Sequence, residues 1–333
     1  MQRDTHVECP ECAPVPARRR FLVTAGAAVA AAAGGALGID RALAAVDPLP
    51  KGTKVALAET TVQRLYESLT APQRQAVVMP FDHPSATKIS ANWHIVPQKI
   101  GEFFNNDQQR MIHEILRGVT SEEGYDRFLR QMQDDDGGFG NFSCAIFGEP
   151  GKGPSEWVMT GRHLTIRADG NSIDGAAFGG PIVYGHQAPG NQAANLFYYQ
   201  TQMANQVFQA LDGKQREKAL LPMAPKEDAI QVKKGDYAGI ALGEMSKDQK
   251  ELVHKVMMAL LAPYREADVK EAVDAVHAHG GGEKLHFSFY KNEDLGNDQE
   301  WDIWRIEGPT LVWHFRGAPH VHTWVNFRTK PAA

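Results

Sequence analysis

A chain of 333 residues, 43 % of them hydrophobic, carries enough apolar side chain for one large core or two modest ones, which excludes an intrinsically disordered protein. Its formal charge of −5 is small for that length. Outside the N-terminus Lys and Arg are dispersed, so no nucleic-acid partner is expected.

The N-terminal stretch "ARRRFLVTAGAAVAAAAGGALGIDRALAA" places Arg18 and Arg19 one residue ahead of Phe21 and Leu22, followed by a weakly apolar Ala/Gly run. This pattern predicts a twin-arginine export signal over residues 1–44, ended by Ala42-Leu43-Ala44 as the signal-peptidase site. The uncharged run from Phe21 to Ile39 has the length of a membrane span, but Ala and Gly contribute little transfer energy. No stable membrane span is therefore expected after cleavage, an uncleaved anchor being the alternative. The expected location is periplasmic or extracellular, and the expected partner on the way is the twin-arginine export machinery. That route carries folded chains, which suits a cofactor or metal inserted before export. Removing five arginines and four acidic residues with the leader leaves 30 basic against 36 acidic side chains, a charge of −6. Cys9 and Cys12 leave with it. Cys144 then has no intramolecular partner and is expected to be a buried thiol.

Residues 52–135 are predicted to be a helical block. Two of its segments open with the pattern in which a hydroxyl and a later side chain satisfy the first amides of a helix, Thr70 with Gln73 and Thr120 with Glu123. Ser246 with Gln249 repeats it before Leu252, Val253, Val256, Met257, Leu260 and Leu261, and Pro263 ends that run. A further helix is predicted from Asn191 to Leu211, with Leu196, Tyr199, Met203 and Val207 on its core side. Between the blocks, "QDDDGGFGNFS" and "GEPGKGPSEW" read as loops. Asp134, Asp135 and Asp136 fit a solvated acidic turn, because the spacing of a calcium loop would put Met132 at the first ligand and Ser143 at the twelfth.

Strands are predicted from near Trp157. His163, Thr165 and Arg167 alternate with Leu164 and Ile166, which puts the three polar residues on one strand face and Arg162 on the other. Asp169-Gly170 supplies hairpin-turn residues. Towards the C-terminus "LHFSFYK", "WDIWRIEG", "TLVWHFRG" and "HVHTWVNF" are β-branched and aromatic runs with short connections, which implies an antiparallel meander. The class is α+β: an N-terminal helical block with a C-terminal antiparallel sheet flanked by helices, as one domain over 45–333, strand-rich at 155–190 and 285–328. Trp301, Trp304, Trp313 and Trp324 are expected in the sheet core, the alternative being an aromatic cleft.

Two familiar signatures fail. "GPIVYGHQ" has the glycine spacing of a phosphate loop, but His186 and Gln187 replace its lysine and hydroxyl. "GNSIDG" is one residue too long for a nucleophile elbow. The histidines are more informative. His277 and His279 end a helical run, where residues two apart diverge, and are expected on the surface. His320 and His322 fall on a strand, share a face with Trp324 and Asn326, and can converge on one ion. A firmly held ion needs a third ligand. His163 is the first choice; His186 and Glu307 are further candidates, while His314 has an ambiguous facing. Arg305 and Glu307 are candidate catalytic residues that would orient an anionic or protic group. Histidines that merely satisfy hydrogen bonds in a half-buried sheet are the alternative.

The blocks "MTGRHLTIRADGNSIDGAAFGGPIVYG", "GIALGEMSKDQKELVHKVMMALLAPYR", "RIEGPTLVW" and "PHVHTWVNF", in that order, resemble bacterial exported proteins catalogued as domain of unknown function 3500, from about Leu57 to Phe327. The resemblance implies that Gly161, Arg162, His163 and Leu164 belong with His320 and His322. It implies no reaction, and it takes weight from His186 and Glu307, which depart from the family pattern. The expectation is an exported metal-dependent hydrolase or oxidoreductase, with His163, His320 and His322 on a divalent or copper ion (zinc, copper or iron) and a small-molecule substrate. The alternative is a non-catalytic periplasmic protein that binds a small solute or a metal.

Overall fold

The computed structural model describes residues 45–331 except Asn171, so the expected export signal at 1–44 lies outside the described residues. Among those described, no helix is long and apolar enough to cross a membrane. The class is α+β, as the sequence implied. In chain order the helices are α1 (Ala58–Ser68), α2 (Ala71–Val77), α3 (Ile100–Phe103), α4 (Asn106–Gly118), α5 (Glu122–Asp136), α6 (Tyr198–Ala210), α7 (Gly213–Ala219), α8 (Lys247–Leu261) and α9 (Glu266–Ala278). The strands are β1 (Val78–Met79), β2 (Ser143–Gly148), β3 (Ser155–Gly161), β4 (Leu164–Ala168), β5 (Ile182–Pro189), β6 (Leu220–Leu221), β7 (Ile240–Ala241), β8 (His286–Tyr290), β9 (Ile303–Gly308), β10 (Leu311–Arg316) and β11 (His320–Phe327).

Among the described residues all the strands join one sheet. Its order is β1-β2-β3-β4-β5-β11-β10-β9-β8-β6, with β7 added to β8. Two antiparallel meanders, β2 to β5 and β8 to β11, meet where β5 pairs antiparallel with β11. The β9–β10 and β10–β11 connections, of two and three residues, are too short for a parallel crossover, which accounts for their direction; the twelve-residue β8–β9 loop is long enough for one, yet these strands also pair antiparallel.

Period-two alternation gives the sheet two different faces. Trp304, Ile306, Trp313, Phe315, Val321 and Val325 point to one face and share a core with α1, α4, α5, α6 and α8. Val183, Val312 and Trp324 point the other way and meet Ala91 and Ile230 in a second, smaller cluster. That second face is covered by irregular chain, residues 80–99 and 222–239. Trp157, Trp304, Trp313 and Trp324 are fully buried, so they are core; truncating any of them to Ala costs about 3–5 kcal/mol. Cys144 is also buried and unpaired.

Several local expectations shift. The caps at Thr70 and Ser246 form reciprocally with Gln73 and Gln249. The third moves by one residue: Ser121 accepts from Gly124 N and caps α5, because the Thr120 hydroxyl donates to Leu116 O at the end of α4. The helical block is interrupted over 80–99, where Pro80, Pro84 and Pro97 cannot supply backbone donors. The helix expected from Asn191 begins at Tyr198, since the Asn195 side chain is used to hold the carbonyls of His186 and Ala188. Asp169-Gly170 opens a longer connection to β5 instead of a tight hairpin. Strands also start earlier than Trp157, at β2 and, briefly, β1.

Candidate metal centre

The tight hairpin of the first meander is Arg162-His163, between the paired residues Gly161 and Leu164. His163 therefore sits in a turn and not on the strand face with Thr165. Its φ of +58° is left-handed, a conformation that costs a non-glycine residue of order 1–3 kcal/mol and persists where surroundings enforce it. Two contacts enforce it here: His163 N donates to Ala91 O at 2.6 Å, and His163 Nδ1 lies 2.6 Å from Asp135 Oδ2. Ala91 belongs to the irregular covering chain, and Asp135 to the last turn of α5.

On β11 the register shifts between His320 and Val321, so the simple alternation expected of this strand is broken by a bulge that re-aims His320. His320 Nε2 and His322 Nε2 end 3.0 Å apart. The ring of His163 lies 5.0 Å from that of His320 and 4.9 Å from that of His322. One nitrogen from each ring falls within 4.8 Å of the others. Tetrahedral zinc with Zn–N bonds near 2.0–2.1 Å holds its ligand nitrogens about 3.3 Å apart, so modest rotations close the trio on an ion. Gly185 makes room, since it pairs with His322 and lies under His163. A Cβ at Gly185 would stand 3.3 Å from the Cβ of His163 and 2.2 Å from Val321 O.

Carboxylates stand behind two of the rings. Asp135 faces Nδ1 of His163; Glu227 Oε1 and Oε2 each lie 3.2 Å from Nδ1 of His322. Asp135 Oδ1 accepts from Gln187 N, and Gln131 Nε2 donates to Oδ2. Burial works to raise the Asp135 carboxyl, but His163 and these donors hold it below the usual range. A carboxylate on the far nitrogen fixes the tautomer and turns the other lone pair outward, which is how ligating histidines are usually oriented.

His322 has a second neighbour. Arg316 Nη2 is 2.9 Å from the same Nδ1, and Arg316 Nε is 3.1 Å from Glu227 Oε2. Only one relation to Nδ1 can hold at a time. When Nδ1–H donates to Glu227, Nε2 carries a lone pair and is ready for a metal. When Nδ1 accepts from Arg316, Nε2 carries the proton and donates to His320 instead. Burial, then the neighbouring His322, His163 and Arg316, depress His320 to about 2. Burial, followed by Arg316, His163 and Arg162, holds His322 well below the ordinary histidine range. His163 and His322 are 0 % exposed and His320 is 7 %, so the trio meets solvent through His320.

The remaining candidates are not members of the trio, although His186 borders it, its Nε2 lying 3.8 Å from Oδ1 of the same Asp135 that faces His163. His186 is buried on β5, where Nδ1 accepts from Leu196 N and Nε2 is 3.3 Å from Asp134 Oδ2. It braces the acidic end of α5. Glu307 Oε1 accepts from Ala238 N, and Arg305 donates to Ala229 O and to His314 Nδ1. Glu307 pairs with Val312, about 13 Å along β10 from Arg316, so these two residues pin the covering segment 222–239 at a distance from the histidines. His314 is buried beneath the same segment. His277 is exposed, and His279 Nε2 is 3.1 Å from Thr329 O.

Asp135, Glu227, Arg316 and Gly185 escaped the reading of the sequence. The acidic run 134–136 is not a solvated turn but the last turn of α5, capped by Gly137 at φ +73°. Three carboxylates at a helix C-terminus oppose the macrodipole, and that conflict was a legible sign of another duty. Glu227 gave no such sign.

Fold and site together define an α+β protein with a buried three-histidine group backed by carboxylates at the seam of two meanders. The chain belongs to the family described as protein of unknown function (DUF3500), whose model matches residues 51–330. No curated protein and no solved structure matches it.

Proposed function

We propose that this protein holds one zinc, copper or iron ion on His163, His320 and His322 and acts on a small molecule as a metal-dependent hydrolase or oxidoreductase. The convergence of three buried imidazoles within 4.8 Å carries this reading. It is supported by the carboxylates behind His163 and His322, each set against Nδ1 so that Nε2 is left to face an ion. Zinc would supply a bound water that ionises near neutral pH, whereas copper or iron would supply redox chemistry. Asp135 and Glu227 would each hold an Nδ1 proton, keeping both Nε2 atoms aimed at the ion. His320, the partly accessible ring, marks the side on which water or substrate would enter. With the export signal expected at 1–44, the protein would work in the periplasm or outside the cell, loaded before export.

The burial of the trio favours a second reading, a non-catalytic protein that retains a metal or small solute. Elemental analysis of the protein from its native compartment, beside His320→Ala/His322→Ala, separates these readings from no site at all: stoichiometric metal in the wild type and none in the variant is expected, and equal content in both would remove the proposal. A hydrolase and oxidase screen with and without chelator then decides between enzyme and binder.

A further inference from the structure

The two irregular segments that cover one face of the sheet are held very differently. Residues 80–99 are pinned to β4, where Arg167 donates to the carbonyls of Ala86 and Lys88 and Thr165 Oγ1 donates to Ser90 O. Ala86, Ala91 and Val96 are buried beneath them. Residues 222–239 form neither helix nor strand, and Ile230 is the one buried residue among them. Among the described residues, Ala229 N and Ile230 N alone in that segment find backbone acceptors. A stretch with so few buried apolar groups and backbone hydrogen bonds opens at low cost while the sheet beneath it stays folded.

One face of β11 receives this segment. Trp324 packs with Ile230, Asn326 Nδ2 donates to Ile230 O at 2.9 Å, and His322 faces Glu227. Docking of the segment and aiming of a candidate ligand are therefore done along the same strand. Glu227 is the link between them. In place, its carboxylate takes the Nδ1 proton of His322 and leaves the Nε2 lone pair to an ion. Withdrawn, it leaves Nδ1 to Arg316, whose Nη2 is already 2.9 Å away, and the proton moves to Nε2. His322 is then a ligand only while the segment is down.

We propose that residues 222–239 are a strap whose closure is coupled to occupation of the histidine trio: a bound ion holds the strap down through His322 and Glu227, and lifting the strap releases the ion. This rests on the metal reading given above and adds its regulation. Such coupling is reciprocal, so an ion that prefers the closed strap protects it, and a change that favours the open strap lowers apparent affinity in proportion. Residues 80–99, with three buried side chains and the bonds to β4, stay in place and serve as the internal reference.

The test compares hydrogen exchange, followed by mass spectrometry, in the chelator-treated and the Zn²⁺-loaded protein. Zn²⁺ is expected to slow exchange across 222–239 about tenfold or more and to leave 80–99 unchanged. Ile230→Ala removes the buried anchor of the strap without touching a ring, and should speed Zn²⁺ release to EDTA about tenfold or more. Asn326→Ala, at a partly exposed position that does not endanger folding, should act in the same direction. Glu227→Ala at saturating Zn²⁺ should lose the protection, which a segment that merely packs on the sheet would keep. Stoichiometric Zn²⁺ with unchanged exchange across 222–239, wild-type release in both anchor variants, or protection kept in Glu227→Ala overturns the strap and leaves the metal site standing. No Zn²⁺ binding at all overturns the metal reading and the strap with it.

Discussion

The chain contains two His-x-His pairs, and the fold treats them in opposite ways. His277 and His279 end α9, where one is exposed and the other reaches a carbonyl near the C-terminus. His320 and His322 open β11, and their Nε2 atoms come within 3.0 Å. Spacing is identical, so spacing is not the cause. On a helix, residues two apart point about 200° from one another; on a strand they share a face, and here a bulge adjusts the first of them. The second pair also has what the first lacks: a third imidazole from a distant hairpin, and carboxylates from α5 and from the covering segment. A motif becomes a site only when the backbone period and remote chain agree.

The largest expected effect comes from removing the distant member. His163→Ala should bring metal content to background while leaving both pairs intact, and a variant that still copurifies with stoichiometric metal would reduce the trio to a pair. His113 offers a third setting, buried like His322 but stacked on Phe139 at 3.7 Å and beside Tyr125 Oη. Burial depresses it to about 4, below its ordinary value near 6.5. The unfolded chain then takes up a proton that the folded one refuses, so this contribution is complete above pH 6.5 and is lost as pH falls from 6.5 through 4. The loss should reach about 3 kcal/mol, and denaturant titrations across that window should show a flatter pH slope for His113→Leu. An unchanged slope would mean that burial among hydrocarbon does not set this histidine's protonation.

Next in size are the carboxylates. Asp135→Asn and Glu227→Gln should each weaken metal affinity about 10–100-fold in competition with a chelator, with the fold retained by circular dichroism. Full affinity in both would leave the trio without the support that distinguishes it from the α9 pair. The smallest change is expected from His277→Ala/His279→Ala: metal content as in the wild type, and stability within about 0.5 kcal/mol. Loss of metal there would collapse the comparison altogether.

Much of this could be read from local pattern. Aromatic and β-branched runs with short links define β8 to β11, and reciprocal caps at Thr70 and Ser246 mark two helix starts, because these signals act between neighbours in the chain. The same locality explains the errors. Local pattern assigns to Thr120 a cap that Ser121 makes, since the choice depends on a carbonyl of α4. Asp135 reads as solvated because, although three carboxylates at a helix end hint at another duty, nothing nearby in the sequence announces the hairpin against which α5 ends.

From its residues alone the chain settled an α+β class, the antiparallel C-terminal meander and the candidacy of His163, His320 and His322. Tertiary structure alone decided that β5 pairs with β11, that His163 leaves its strand for a left-handed turn, and that Asp135, Glu227 and Arg316 surround the rings. The reason is physical: hydrophobic period and turn chemistry act over a few residues, whereas three imidazoles meet only after the entropy of closing long loops has been offset by the packed sheet that brings them together.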